Sequence, residues 1–127
     1  MNNIAPFTHS EKAFTLDNSI SLYVPTVYRD HSPIPTNEVE GVKSFLIDEL
    51  TSLFGGCTVT IGVGYFKHES GRVQAENVYI LNSFADSVSL SLQQEQLKNH
   101  ATWTAKALKQ EAVLLVVNGQ AGFYEAE

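Results

Sequence analysis

Apolar and polar residues alternate along two neighbouring segments in the middle of the chain, and this pattern predicts a β-hairpin. In the first arm, residues 57–66 (CTVTIGVGYF), every second position from Cys57 to Tyr65 is apolar or aromatic. Successive side chains of a strand point to opposite faces, so these positions share one face. The second arm, residues 72–81 (RVQAENVYIL), carries a single carboxylate, Glu76. The segment HESG between the arms predicts a turn, in which Gly71 is the permissive residue.

The register of this hairpin decides where the carboxylate lies. We expect Lys67 to pair with Arg72, and this register places Glu76 on the apolar face of the first arm. Tyr65 is then its diagonal neighbour, at roughly 7–8 Å between backbones. A carboxylate on an apolar face must be paired, protonated or used in function. A slip of one residue would move Glu76 to the other face.

Two amphipathic helices flank the hairpin. Asn37 has the position of an N-cap for the first helix, with Glu40 three residues later, and Gly55 is placed to end it. Its apolar stripe consists of Val39, Val42, Leu46, Leu50 and Leu53. After a polar connection over residues 82–89, the second helix is expected from about Ser91 to Lys109, with Leu97, Ala101, Ala105 and Leu108 as its stripe.

Strand patterns precede the first helix and follow the second. Residues 19–27 (SISLYVPTV) alternate, residues 112–117 (AVLLVV) are continuously apolar, and Asn118-Gly119 predicts a tight turn into a short last strand. The order β-α-β-β-α-β plus a short strand predicts an α+β, ferredoxin-like sandwich, an antiparallel sheet with two helices on one face. We expect one domain over residues 18–127, preceded by an N-terminal arm over residues 1–17.

The second face of this sheet is expected to be apolar as well. Its hairpin positions in the predicted register are Gly62, Gly64, Phe66, Ala75 and Tyr79. Monomeric proteins rarely expose an apolar surface of that size. We therefore expect another subunit to cover this face, in a homo-oligomer, with a trimer favoured.

Composition narrows the classes of function. The 127 residues have a formal net charge of -6, which disfavours binding to nucleic acids or anionic membranes. No segment has the ~20 continuous apolar residues of a membrane span, and the first residues lack the features of a secretory signal. The single cysteine excludes an internal disulfide and fits the cytoplasm, and four scattered histidines indicate no metal site. We expect no cofactor.

Tyr65 and Glu76 are the candidate catalytic pair. A hydroxyl and a carboxylate at the edge of an apolar surface could hold an ammonium or hydroxyl group; alternatively, Glu76 forms an ion pair with a lysine such as Lys67 or Lys106. The candidates for substrate binding are Gln74, Gly64, Arg72 and Trp103. The last three also have structural alternatives, namely subunit packing for Gly64, a solvated turn for Arg72 and an interface position for Trp103.

Two resemblances follow from these motifs. From Leu22 to Val116, the pattern of LY, FGG-T, G-R-x-x-x-E and QEAVL resembles an uncharacterised bacterial family of small ferredoxin-like proteins. The segment QEAVLLVVNGQAGFY is similar to the last strands of the phage S-adenosylmethionine (SAM) lyases, formerly called hydrolases. That resemblance implies a βαββαβ trimer with sites between subunits, in which Glu76 and Tyr65 lie near the substrate's amino group.

The second resemblance also implies a reaction. The carboxylate of SAM displaces methylthioadenosine and leaves homoserine lactone, so catalysis consists mainly of positioning the substrate. Two other functions stay open at this point. One is a non-catalytic trimeric signalling-type module that binds a nucleotide-like ligand between subunits. The other is a small phage-type inhibitor that binds a host enzyme.

Overall fold

The computed structural model describes residues 14–67 and 69–126, so most of the expected N-terminal arm lies outside the described residues. Seven elements follow one another in the predicted order. They are β1 (Asn18–Pro25), α1 (Thr36–Phe54), β2 (Thr58–Lys67), β3 (Val73–Ala85), α2 (Ser87–Ala107), β4 (Ala112–Val117) and β5 (Gln120–Glu125).

The strands form one antiparallel sheet in the order β2-β3-β1-β4-β5. Helix α1 packs on β3 and β1, while α2 packs on β4, β5 and β1, so both helices cover the same face. The core between the layers contains Ile20, Leu22, Val24, Leu46, Leu50, Leu81, Leu97 and Leu115. This architecture confirms the ferredoxin-like sandwich with an extra strand. In the described part of the chain, neither helix is long and apolar enough to cross a membrane.

Both helices begin earlier than the sequence indicated. Pro35 occupies the N-cap position of α1 without a side-chain hydrogen bond, so the predicted cap at Asn37 is wrong. The Pro35 carbonyl accepts a hydrogen bond from the Val39 N–H at 3.2 Å, so the first helical bond closes on Pro35 and the helix forms from the next residue. At the other end, Gly55 has φ 91° and ends α1 as predicted.

Helix α2 starts at Ser87 because Asp86 caps it. The Asp86 carboxylate accepts a hydrogen bond from the Ser89 backbone N–H at 2.7 Å, which lowers the pKa of Asp86. The predicted polar connection over residues 82–89 is therefore wrong, because β3 continues through its first half and α2 begins within its second half. The amide of Asn82 donates to the Ser19 and Ser21 hydroxyls of the neighbouring strand, so polar side chains pair within the sheet.

The hairpin of β2 and β3 has a register one residue away from the predicted one. Lys67 pairs with Val73, and Gly64 pairs with Glu76. Directly paired residues of an antiparallel ladder share a face, so Glu76 lies with the even-numbered residues of β2. Tyr65 lies on the opposite face of the hairpin. The predicted placement of Tyr65 and Glu76 on one face is therefore wrong.

The register also changes which residues form the two sheet faces. Ala75 and Tyr79 lie on the helix side, not on the second face as expected, because each pairs with an odd-numbered residue of β2. The second face is nevertheless apolar, and no element of the described residues covers it. Three aromatic rings on it are more than half exposed, namely Phe66 (53%), Phe84 (53%) and Phe123 (71%).

Candidate functional site

Glu76 is hydrogen-bonded to His31, a partner that the sequence analysis missed. His31 Nδ1 lies 2.9 Å from Glu76 Oε1, and the two side chains are only 23% and 17% exposed. An ionised carboxylate can only accept hydrogen bonds, so Nδ1 carries the proton of this bond. The carboxylate is thus paired, as an acidic group on an apolar surface must be, but with a histidine instead of the expected Lys67 or Lys106.

A tight loop between β1 and α1 holds His31 against the hairpin. The Tyr28 N–H donates to the Ser32 carbonyl at 2.8 Å, and the His31 N–H donates to the Tyr28 carbonyl at 2.9 Å. Asp30 accepts a hydrogen bond from the Ser32 N–H at 3.0 Å, and its hydrogen bonds to Ser32 lower the pKa of Asp30. This closure turns His31 to a left-handed φ of 68°, which directs its ring to the sheet.

Glu76 borders a cavity on the uncovered sheet face. The cavity has a volume of about 210 Å³ and is lined mainly by apolar and aromatic side chains. Besides Glu76, its lining residues include Tyr23, Phe66, Val78, Gln110, Leu114 and Phe123. One carboxylate beside several aromatic rings suits an organic cation, since a ring face attracts positive charge and the carboxylate pairs with it. Glu76 also borders a larger groove of about 500 Å³ on the helix side, next to Ile61 and Val63.

Gly64 allows an aromatic ring to lie beside the carboxylate. A Cβ atom added at Gly64 would lie 2.7 Å from Cε2 of Phe66 and 2.9 Å from its Cζ, so only glycine leaves room for this ring position. Gln74 pairs with Phe66 in the ladder and therefore faces the same side. Gly64, Gln74 and Glu76, three of the residues proposed from the sequence, thus lie on one face.

The other three candidates lie elsewhere. Tyr65 is 71% exposed on the opposite face of the hairpin. Arg72 is exposed in the turn, where its backbone N–H lies 3.4 Å from the Ser70 hydroxyl. Trp103 lies in the helix layer, where its ring packs on Phe45 with 4.7 Å between centroids, and it borders neither cavity next to Glu76.

Gln110 is a second residue that borders the site without being among the site residues predicted from the sequence. Its side-chain amide donates to the Val27 carbonyl at 2.9 Å and to the Leu108 carbonyl at 3.0 Å. It therefore ties the end of α2 to the loop that carries His31, and it also borders the cavity. Neither residue lies in a periodic segment, so hydrophobic patterning could not have marked them. Across residues 14–67 and 69–126, no three acidic, histidine or cysteine side chains form a metal-binding group.

Comparison with known proteins gives matches by structure alone. A scan against protein families finds no match, and a search of the curated proteins finds none either. The chain has the fold of phage SAM lyase. A phage SAM lyase in complex with S-methyl-5'-thioadenosine matches 94% of this chain and 98% of its own, with a TM-score of 0.63 and 14% identity. A phage SAM lyase in the apo state matches 87% of this chain and 90% of its own, with a TM-score of 0.63 and 18% identity.

A more distant likeness is to CutA from Synechococcus elongatus. It covers 85% of this chain and 81% of that protein, at 14% identity and a TM-score of 0.47. At 14% and 18% identity, the two phage SAM lyase structures establish the fold alone and leave the chemistry of the site to be argued from its residues.

Proposed function

We propose that the protein is a SAM-cleaving lyase, a cytoplasmic enzyme of phage type whose sites lie between the subunits of a trimer. The observation that carries this proposal is the half-buried Glu76 carboxylate at the rim of an aromatic-lined cavity on an uncovered sheet face. SAM is an organic cation with an ammonium group and a sulfonium centre, so it matches this combination of charge and rings. The shared fold with a lyase seen in complex with S-methyl-5'-thioadenosine supports the same substrate.

The proposed reaction requires no group from the protein to form a bond. An oxygen of the substrate's own carboxylate attacks Cγ of its methionyl part, and the Cγ–S bond breaks. The bonding electrons go to sulfur, which leaves as neutral methylthioadenosine, while the other product is homoserine lactone. No proton is transferred in this step, so the protein contributes by holding the attacking oxygen in line with the leaving sulfur.

Glu76 would hold the substrate through its ammonium group. Its charge is only partly screened in a site that is less than one-fifth exposed, so the pairing is stronger than on an open surface. The ring of Phe66, kept beside Glu76 by Gly64, would face the sulfonium or the adenine. In this arrangement Gln74 is a further polar contact on the same face.

In the proposed trimer, Tyr65 contributes to the site of a neighbouring subunit. Within one chain it points away from Glu76, but it is exposed near the end of a long hairpin. The uncovered face around Phe66, Phe84 and Phe123 is the surface on which a second copy would pack. We therefore assign Tyr65, and with it Arg72 at the hairpin tip, to the site of an adjacent subunit. Trp103 lies away from the cavity, and we give it no role in binding.

The proposal is tested with Glu76→Gln, which keeps the shape of the side chain and removes its charge. Loss of a charged hydrogen bond of this kind should lower kcat/KM for methylthioadenosine release about 10- to 100-fold. Glu95→Gln is the matched control, since Glu95 is exposed on α2 and pairs there with Lys98. Equal activity of Glu76→Gln and wild type would contradict the site assignment. Binding of SAM without turnover would favour the ligand-binding module, and no binding would favour the inhibitor.

A further inference from the structure

We propose that His31 is a positioning residue that fixes the orientation of the Glu76 carboxylate for substrate binding. This inference deepens the proposed lyase function and rests on it. It starts from the one polar contact that joins the loop between β1 and α1 to the candidate carboxylate, the 2.9 Å hydrogen bond between His31 Nδ1 and Glu76 Oε1.

This hydrogen bond makes the two oxygens of the Glu76 carboxylate different from each other. Oε1 accepts from His31, and among the described residues Oε2 receives no hydrogen bond from the protein. A glutamate has three rotatable side-chain bonds, and the last of these is broad unless an oxygen is held. With Oε1 held, Oε2 keeps one direction and can accept a hydrogen bond from a bound ammonium group without first losing side-chain freedom.

The backbone at His31 gives the second argument. Its φ of 68° lies in the left-handed region, which few residues other than glycine adopt, with asparagine, aspartate and histidine the most frequent among them. The loop holds this conformation through the Tyr28–Ser32 closure and through the tie between Gln110 and Val27. Glycine would fit this backbone without strain, and the hydrogen bond of the His31 side chain to Glu76 offsets the cost of a larger residue here.

Two substitutions separate the side chain's contribution from that of the backbone. In His31→Asn, the Nδ2 amide takes the place of Nδ1 relative to Cβ, can donate to the carboxylate, and tolerates the left-handed φ. In His31→Gly, the left-handed φ is unstrained, but the hydrogen-bond donor to Glu76 is lost. Asp30→Asn is the control in the same loop, because its amide oxygen can still accept from the Ser32 N–H.

We expect His31→Gly to lower kcat about tenfold or more, with a smaller change in KM, since misplacing a binding group by about 1 Å can reduce rates up to a hundredfold. His31→Asn should recover kcat to within a few-fold of wild type, and Asp30→Asn should match wild type. A folding role alone would change the thermal midpoint and the amount of active protein, but not kcat per folded site. If both His31 variants keep the wild-type kcat, or if asparagine fails to restore what glycine loses, the proposal is overturned.

A readout without substrate separates this inference from the lyase proposal. In long-range 1H–15N spectra at pH 8, the His31 imidazole should carry its proton on Nδ1 in wild type, because the carboxylate accepts it. In Glu76→Ala the acceptor is gone, and the proton should shift in part to Nε2. If wild type releases no methylthioadenosine, the lyase proposal fails, and this spectrum alone decides the contact. An unchanged Nδ1 signal in Glu76→Ala overturns the role of His31.

Discussion

Replacing Gly64 with alanine tests whether the ring of Phe66 forms a wall of the ligand cavity. The new Cβ would lie 2.7 Å from Cε2 of Phe66, while ordinary contact begins at 3.4 Å, so the ring must move by about 0.7 Å (3.4 − 2.7) or more. The ring is 53% exposed and can swing into solvent, so the fold tolerates this movement. We expect the displacement to reduce kcat/KM for SAM about tenfold, in line with the sensitivity of positioned groups to shifts near 1 Å.

Gly62→Ala is a matched control two residues away on the same strand and face. A Cβ there would meet Ile80 Cδ1 at 3.4 Å and Val78 Cγ1 at 3.7 Å, which are ordinary contacts. Both substitutions remove a glycine from a strand, so each gains a similar ~0.4–1 kcal/mol from the less flexible unfolded chain. Their thermal midpoints should therefore be close, while methylthioadenosine release falls for Gly64→Ala alone. Equal kcat/KM values for the two variants would refute the assignment of Phe66 to the cavity wall.

Three further predictions concern the assembly and the stability of the domain. Glu76→Gln and Tyr65→Phe protomers, mixed in equal amounts and refolded together, should regain about a quarter of the wild-type activity if each site takes one residue from each of two subunits. The reason is that each of the two residues is intact at half of the sites. Mixtures as inactive as their parents would contradict a shared site. Asp86→Ala should lower the thermal midpoint because it removes the N-cap of α2, whereas Asp86→Asn should keep a midpoint close to that of wild type. Equal midpoints for the two variants would show that the cap is dispensable. Burial lowers the pKa of His100 below its ordinary value of 6.5, so the unfolded chain binds a proton before the native state does, and stability should fall as the pH drops below about 6.5. Urea titrations across this pH range should show that the free energy of unfolding depends less on pH in His100→Gln than in wild type. The same pH dependence in both proteins would contradict the argument that burial of His100 causes it.

The fold could be predicted because each element has a local signal. The apolar stripe of α1 ends at Gly55, the Asn118-Gly119 pair has the positive φ values of 53° and 80° that its turn requires, and the alternating arms of the hairpin are both strands. These features depend on neighbouring residues alone. The elements can therefore be predicted correctly even when the long-range contacts are not.

The hairpin register could not be predicted because both faces of both arms offer apolar side chains. Patterning fixes a register only when one face is clearly polar, and here a shift by one residue exchanges one apolar set for another. The partner of Glu76 also lies far away along the chain, since His31 belongs to the loop between β1 and α1. The loop that contains His31 has no periodic pattern of apolar residues. The contact between His31 and Glu76 could therefore be found only from the three-dimensional structure.

The most direct test of the central claim is to incubate the purified protein with SAM in 18O-labelled water and identify the products by mass spectrometry. The lyase proposal predicts methylthioadenosine together with homoserine lactone, and no solvent oxygen on Cγ, because the substrate's own carboxylate forms the new C–O bond. Glu76→Gln should give both products more slowly, with the same isotope pattern. Homoserine with labelled oxygen on Cγ would reveal hydrolysis by water instead, and the absence of methylthioadenosine would contradict the proposed activity altogether.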